Sequence, residues 1–221
     1  MNQNILSLPD TSLGALLPLF LPRLCLFPAP KEPTRDIEPL WPLSPEELLH
    51  ARLDEELRAL SVRGFERLIA RLLRASGYED VRILRDHTKA RRSRKGRTSH
   101  GGVDLTASLR AEFGVSQVLV QVKQYERPVS RRFVDELRGA LLRTQARQGL
   151  LITTGAFSPA ARTAALEDHI GPIHLLDGAS LRDLLIMHHL GLKRSKRGHL
   201  VLRSRFFRRL DVVSSHRTSA R

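Results

Sequence analysis

The segment Gln117–Lys123 (QVLVQVK) sets Val118, Val120 and Val122 on one side of a strand and Leu119, Gln121 and Lys123 on the other, because successive side chains of a strand alternate between faces. The three valines make core, so the segment predicts a strand that is half or fully buried. Gln121 and Lys123 then point together into a place where apolar side chains would be less costly. Asp104 stands near the start of the preceding strand, Val103–Leu109. A hairpin through Arg110–Ser116, centred near Phe113, pairs position 104 with about position 122 and brings Asp104 to the Gln121–Lys123 pair.

Around these two strands the chain alternates between helical and extended patterns. Ser44-Pro45-Glu46-Glu47 carries a helix start with a capping box, and the helix runs to about Leu60. Val62, Phe65, Leu68, Ile69, Leu72 and Leu73 recur at helical spacing until Gly77 stops them. A short strand follows at Asp80–Arg85. After the two central strands come a helix from Ser130 to about Ala146 and the continuous apolar strand Gly149–Thr154. A helix capped by Ser158-Pro159, a strand Pro172–Leu176 and a helix Ala179–His189 complete the series. Three adjacent strands followed by strand–helix alternation predict an α/β fold with a mixed sheet flanked by helices. Residues 1–43 hold most of the chain's twelve prolines and read as an extension. Residues 44–191 read as the folded domain and residues 192–221 as a basic tail with room for a short hairpin or helix, whose charge suggests an arm that orders on binding.

The charge agrees with a polyanionic partner. The net charge is +14, from 37 basic and 23 acidic residues, and it is concentrated. Residues 82–97 and the tail carry the excess, while the remaining body is nearly neutral. A nucleic acid is the expected partner rather than a membrane. The apolar stretch 13–27 is interrupted by Pro18, Pro22 and Arg23 and is too short to span a bilayer. One cysteine, Cys25, leaves no internal disulfide and fits a cytoplasmic location.

A carboxylate, an amide oxygen and an ammonium on one patch suit a hard divalent cation. Asp104 supplies charge, Gln121 a neutral oxygen and the Val122 carbonyl a third oxygen. Such a set favours Mg²⁺, with Mn²⁺ as a substitute. Lys123 is placed to orient or deprotonate a water, or to stabilise charge on phosphorus. Thr153 and Thr154, at the end of a buried strand, would shape the floor of the site. Ser158 is explained as a helix cap, and His188-His189 as a surface pair.

The ordered series GGVD (101–104), QVK (121–123), GAL (139–141), GLLITTGAFSPAA (149–161) and LLDG (175–178), behind a helix containing Phe65-Glu66, resembles the Mrr-type catalytic domain of the PD-(D/E)XK nuclease superfamily. The likeness covers roughly residues 61–188. It implies an αβββαβ restriction-endonuclease-like core and a metal-dependent endonuclease that hydrolyses phosphodiester bonds in DNA, with Asp104, Gln121 and Lys123 in the catalytic signature and Glu66 as the acidic residue of the first helix. Relatives of this type carry an N-terminal winged-helix domain. Residues 1–60 are too short and proline-rich for one, so recognition of modified bases is not implied. The basic loop beside GGVD, with Lys89, Arg91, Arg92, Arg94, Lys95 and Arg97, is expected to contact phosphates. Duplex cleavage needs two sites, which makes a homodimer the expected assembly. The alternatives are a non-catalytic DNA-binding module on the same scaffold, and a structure-selective repair nuclease or resolvase.

Overall fold

The computed structural model describes residues 43–84, 102–111, 114–167, 171–196 and 198–212. Two helices lead: α1 (Pro45–Ala59) and α2 (Val62–Ala75). The expected capping box closes on α1, where the Glu47 N–H donates to Ser44 Oγ at 3.2 Å and the Ser44 N–H to Glu47 Oε2 at 2.7 Å. Ser61 caps α2 by accepting from the Gly64 N–H. Gly77, at φ +89, follows the Ser76 C-cap and turns the chain out of α2, a conformation that favours glycine.

Next come β1 (Glu79–Ile83), β2 (Leu105–Ala111), β3 (Gly114–Lys123), α3 (Arg131–Thr144), β4 (Gln148–Thr153), α4 (Pro159–Leu166), β5 (Ile173–Leu176) and α5 (Gly178–Met187). The sheet order is β1-β2-β3-β4-β5. The first two pairings are antiparallel and the last two parallel. The expected mixed sheet and the αβββαβ order, here α2-β1-β2-β3-α3-β4, are both present. No described helix is long and apolar enough to cross a membrane.

Helices cover both faces. Leu119, Leu151 and Ile173 join Val134, Leu137, Ala140 and Leu141 of α3 and Ala161 and Ala164 of α4 in one buried cluster. Leu105, Ala107, Val118, Val120, Leu150 and Ile152 are buried as well and alternate to the opposite face. There α2 lies against β1 and β2, and α5 against β4 and α1. Truncating one of the leucines or isoleucines of this set to alanine removes apolar burial and leaves a cavity, a loss of about 2–5 kcal/mol.

Two expectations change. β2 and β3 pair out to Ala111 opposite Gly114, with Leu105 opposite Val120. Continued one step, Asp104 faces Gln121 rather than Val122. The strand reaches further into the turn than its apolar residues indicate, because Gly114 takes φ +146. The tail also folds in part. β6 (Leu192–Arg194) pairs antiparallel with β7 (Leu200–Leu202), and α6 (Ser204–Val212) packs on α2 with Phe207 and Leu210 buried. Up to Val212 the segment is thus a built module rather than an arm that waits for a partner.

Candidate active site

Asp104 is fixed from three directions. Its N–H donates to the Val120 carbonyl at 2.9 Å, and its carbonyl accepts from the Leu84 N–H at 2.8 Å. These bonds pin the residue between β1 and β3. Its carboxylate turns along the sheet edge, where Oδ2 accepts from the Val122 N–H at 2.9 Å, and the side chain is buried. The acidic group therefore sits against the backbone between Gln121 and Lys123. A strand residue's N–H and C=O point to the same edge in an antiparallel ladder, so the Val122 carbonyl faces this edge too.

Gln121 is fully buried, and among the described residues neither end of its carboxamide has a hydrogen-bond partner. Buried polar groups are nearly always paired, and an exception calls for a cause. Gly102 lies against it. A Cβ on that residue would stand 2.7 Å from Gln121 Nε2, and Gly102 holds φ +88. The same point is 3.7 Å from Glu136 Oε2, so the amide and the Glu136 carboxylate face one another across a position that only glycine leaves open. Glu136 is also paired with Arg132 at 2.8 Å. Sequence reading passed over Glu136 because it sits on a helix face where Arg132–Glu136 reads as an ordinary i,i+4 pair.

Lys123 ends β3. Its carbonyl accepts from the Thr154 N–H at 3.2 Å, and its Nζ lies 4.8 Å above the centre of the Phe133 ring, a cation–π distance. Tyr125 packs against Phe133 at 5.8 Å with the rings tilted by 58°. Thr153, opposite Lys123 in the β3–β4 register, is buried and its hydroxyl accepts from the Gly155 N–H. Gln124 turns the other way, and its Nε2 donates to the carbonyls of Leu57 and Leu60 at 2.8 and 2.7 Å. That bond pair ties the end of β3 to the α1–α2 junction, a link with no signature in local sequence pattern.

Glu66 is 1% exposed on α2, among residues that face the sheet. A helical glutamate is normally solvated, so its burial is a structural commitment. It comes from the α2 layer, whereas Asp104, Gln121, Val122 and Lys123 gather at one strand end. Lys89, Arg91, Arg92, Arg94, Lys95 and Arg97 lie outside the described residues. Ser158 accepts from the Ala161 N–H as a helix cap, and the His188 ring is hydrogen-bonded to the Ser76 hydroxyl at 3.1 Å.

The donors fit a hard cation in kind. A buried carboxylate, a carboxamide oxygen without a partner among the described residues and a backbone carbonyl make an oxygen set, and a cation would pair with that carboxamide oxygen. Among the described residues no group of three or more His, Cys, Asp or Glu is arranged to hold a metal, so any ion here relies on neutral oxygens beside Asp104.

Comparison with known proteins identifies the family. The model of the Mrr catalytic domain, described as a restriction endonuclease, matches residues 57–185. The chain is 30% identical over 174 residues to the type IV methyl-directed restriction enzyme EcoKMrr of Escherichia coli (strain K12), covering 74% of this chain and 54% of that protein. It thus spans about half the length of the curated relative it matches. The DNA modification-dependent restriction endonuclease AspBHI shares the fold, with a TM-score of 0.50 and 19% identity over 70% of this chain and 40% of that one. The MspJI restriction endonuclease in complex with a 27-mer oligonucleotide gives 0.44 and 22% over 63% and 31%. Since the family match takes in more than half of the chain, and Glu66, Asp104, Gln121 and Lys123 with it, the chain belongs to the restriction endonuclease family of Mrr catalytic domains.

Proposed function

We propose that this protein is a metal-dependent endonuclease that hydrolyses phosphodiester bonds in DNA. The observation that carries the reading is the Asp104 carboxylate held on the Val122 N–H beside a buried Gln121 carboxamide that has no partner among the described residues. DNA as the substrate follows from the family and from the net charge of +14.

Asp104, the Gln121 amide oxygen and the Val122 carbonyl would hold Mg²⁺, which Mn²⁺ would replace. Once bound, the ion supplies Lewis-acid polarisation of the scissile phosphate and makes a nearby water more acidic. Asp104 brings the fixed negative charge, and its backbone bonds keep that charge from rotating away. Gln121 contributes an oxygen without a second charge, so the site keeps room for a phosphate anion. Lys123 presents its ammonium from the adjacent strand position, where it orients the attacking water and stabilises charge that builds on the phosphoryl oxygens. Phe133 beneath it limits where that ammonium can go. Glu66 adds a second acidic group from the α2 layer. The basic residues of 89–97, adjacent in sequence to Asp104, supply phosphate contacts that weaken with salt.

Plasmid nicking tests the reading. The wild-type protein should nick supercoiled DNA with Mg²⁺ or Mn²⁺ and stop when EDTA is added. Asp104→Ala and Lys123→Ala should each lose at least ~100-fold in rate, with unchanged circular dichroism. Equal nicking by either variant, or a wild-type protein that binds DNA and never cuts it, overturns the assignment.

A further inference from the structure

The folded tail has a charge distribution that stability alone does not explain. α6 is amphipathic. Phe207 and Leu210 are buried, while Arg205, Arg208 and Arg209 are exposed. These three stand at i, i+3 and i+4 and share one stripe. Lys193 and Arg194 on β6 and Arg203 at the start of α6 are exposed too. Arg203 closes the hairpin onto the helix through its N–H to the Gly191 carbonyl at 2.8 Å. Gly191, at φ +76, lets the hairpin lie over Phe207, whose ring a Cβ there would meet at 2.5 Å.

None of these six cations makes an ion pair with a described residue. In the sheet domain Arg110, Arg131, Arg132, Arg162 and Arg182 each meet a carboxylate, whereas Arg82, Arg143 and Arg147 are exposed like the arginines of the tail and make no ion pair with a described residue. Within 192–221 the one acidic residue is Asp211, and it is withdrawn from the basic stripe. Its carboxylate accepts from the Ser61 N–H at 3.2 Å and from the Ser61 hydroxyl at 2.6 Å, at the start of α2. Like charges one turn apart cost a few tenths of a kcal/mol per pair, and here no described acid relieves them. The helix dipole accounts for Arg208 and Arg209 near the C-terminal end, but it opposes Arg205 in the first turn. An external anion relieves all three.

We propose that the β6–β7–α6 module is a binding surface for the duplex DNA backbone, with Arg205, Arg208 and Arg209 contacting phosphates without sequence preference. The proposal rests on DNA being the substrate of the adjacent domain. A membrane surface suits the module less well. Phe207 and Leu210, the buried face of α6, are spent against α2, whereas an interfacial helix needs that face for lipid.

The test is salt-dependent binding of the full chain to a generic 30-base-pair duplex in EDTA, followed by nicking at saturating plasmid with Mg²⁺. The triple variants Arg205→Gln, Arg208→Gln, Arg209→Gln and Arg205→Lys, Arg208→Lys, Arg209→Lys are compared with a charge-matched control, Arg82→Ala, Arg143→Ala, Arg147→Ala. The glutamine triple should weaken binding at least ~10-fold at 0.15 M salt and flatten the log–log salt slope by about one per arginine. The lysine triple should keep the slope, and the control should change it less. Nicking at saturation should survive in all three. Unchanged affinity and slope in the glutamine triple overturn the proposal and leave the hydrolase reading standing. Equal losses in the control overturn it as well, since they reduce the effect to net charge. Tight binding to phosphatidylserine vesicles, lost in the glutamine triple while duplex binding is kept, also overturns it. A wild-type protein that binds the duplex through this stripe and never nicks supports the surface and removes the hydrolase reading.

Discussion

Gln121 lies fully buried with neither end of its carboxamide paired among the described residues, a state that costs roughly 1–3 kcal/mol. Gln121→Leu removes that cost in nearly the same volume. The melting temperature should rise, by about 2–4 °C per kcal/mol in a chain of this size, while metal-dependent nicking falls below detection. Added Mg²⁺ should raise the wild-type midpoint, since it binds the folded state, and should leave the leucine variant unmoved. Differential scanning calorimetry with and without the ion reads both effects, and a lower midpoint in the leucine variant would count against the site. Gly102 tests the same cradle from its other wall. Gly102→Ala adds a Cβ 2.7 Å from Gln121 Nε2 at φ +88. It should cost about 1–3 kcal/mol in backbone strain and displace the carboxamide, so nicking should drop by at least ~100-fold. Gly102→Ala with Gln121→Ala should recover part of the stability and none of the nicking. The Asp104–Gln121–Lys123 constellation was legible in sequence because strand alternation exposes any polar pair that shares a face with core residues. Glu136 and Gly102 were not, since their roles depend on where α3 settles over the end of β3, and no periodicity encodes that.

Helices and strands repeat the lesson at larger scale. Ser44, Ser61 and Ser158 cap α1, α2 and α4 as their positions predict, because a cap is a local bargain between a hydroxyl and amides two or three residues away. The β2–β3 register was legible only to within one residue: apolar spacing identifies the strands, whereas the conformation of Gly114 decides where the turn begins. Asp177 shows what a cap can add beyond local pattern. It starts α5 by accepting from the Ser180 N–H at 3.1 Å, and it also meets Arg162 at 3.0 Å. Burial pushes its carboxyl up, but the Ser180 and Arg162 hydrogen bonds outweigh burial and hold it below the ordinary carboxylate range. A group whose folded value is depressed stabilises the protein above its unfolded value and loses that contribution as pH falls through the folded one. Asp177→Ala should therefore lower stability by about 0.5–2 kcal/mol at pH 7. The difference from wild type should shrink steadily below about pH 4, where the unfolded carboxyl takes up its proton. Urea titrations at pH 7, 4 and 3 measure it, and a pH-independent gap would show that the ionised carboxylate contributes nothing.

Across the whole molecule, the tail and α2 act on one another. The charge of residues 192–221 suggests a free arm, but Phe206, Phe207 and Leu210 recur at helical spacing within that charge, and their burial decides the outcome. Asp211 holds Ser61, Arg67 donates to the Leu210 carbonyl, and the Arg71 guanidinium lies 5.2 Å over the Phe206 ring. Gly64 makes the close approach possible, because a Cβ there would collide with the Asp211 carboxylate. Gly64→Ala favours an isolated α2 helix by about 1 kcal/mol, so a net loss of stability must come from what its Cβ displaces, the Asp211 carboxylate and the Leu60 side chain. The expected loss is roughly 1–3 kcal/mol, with new cleavage by trypsin at the arginines of 203–209, which the packed module shields. Since α2 also carries Glu66, nicking should fall along with the docking. Gly64→Ala combined with Asp211→Ser, which removes the obstructing carboxylate, should restore both the protease resistance and much of the rate. Recovery of resistance without recovery of nicking would separate the tail from α2 and confine its effect to stability.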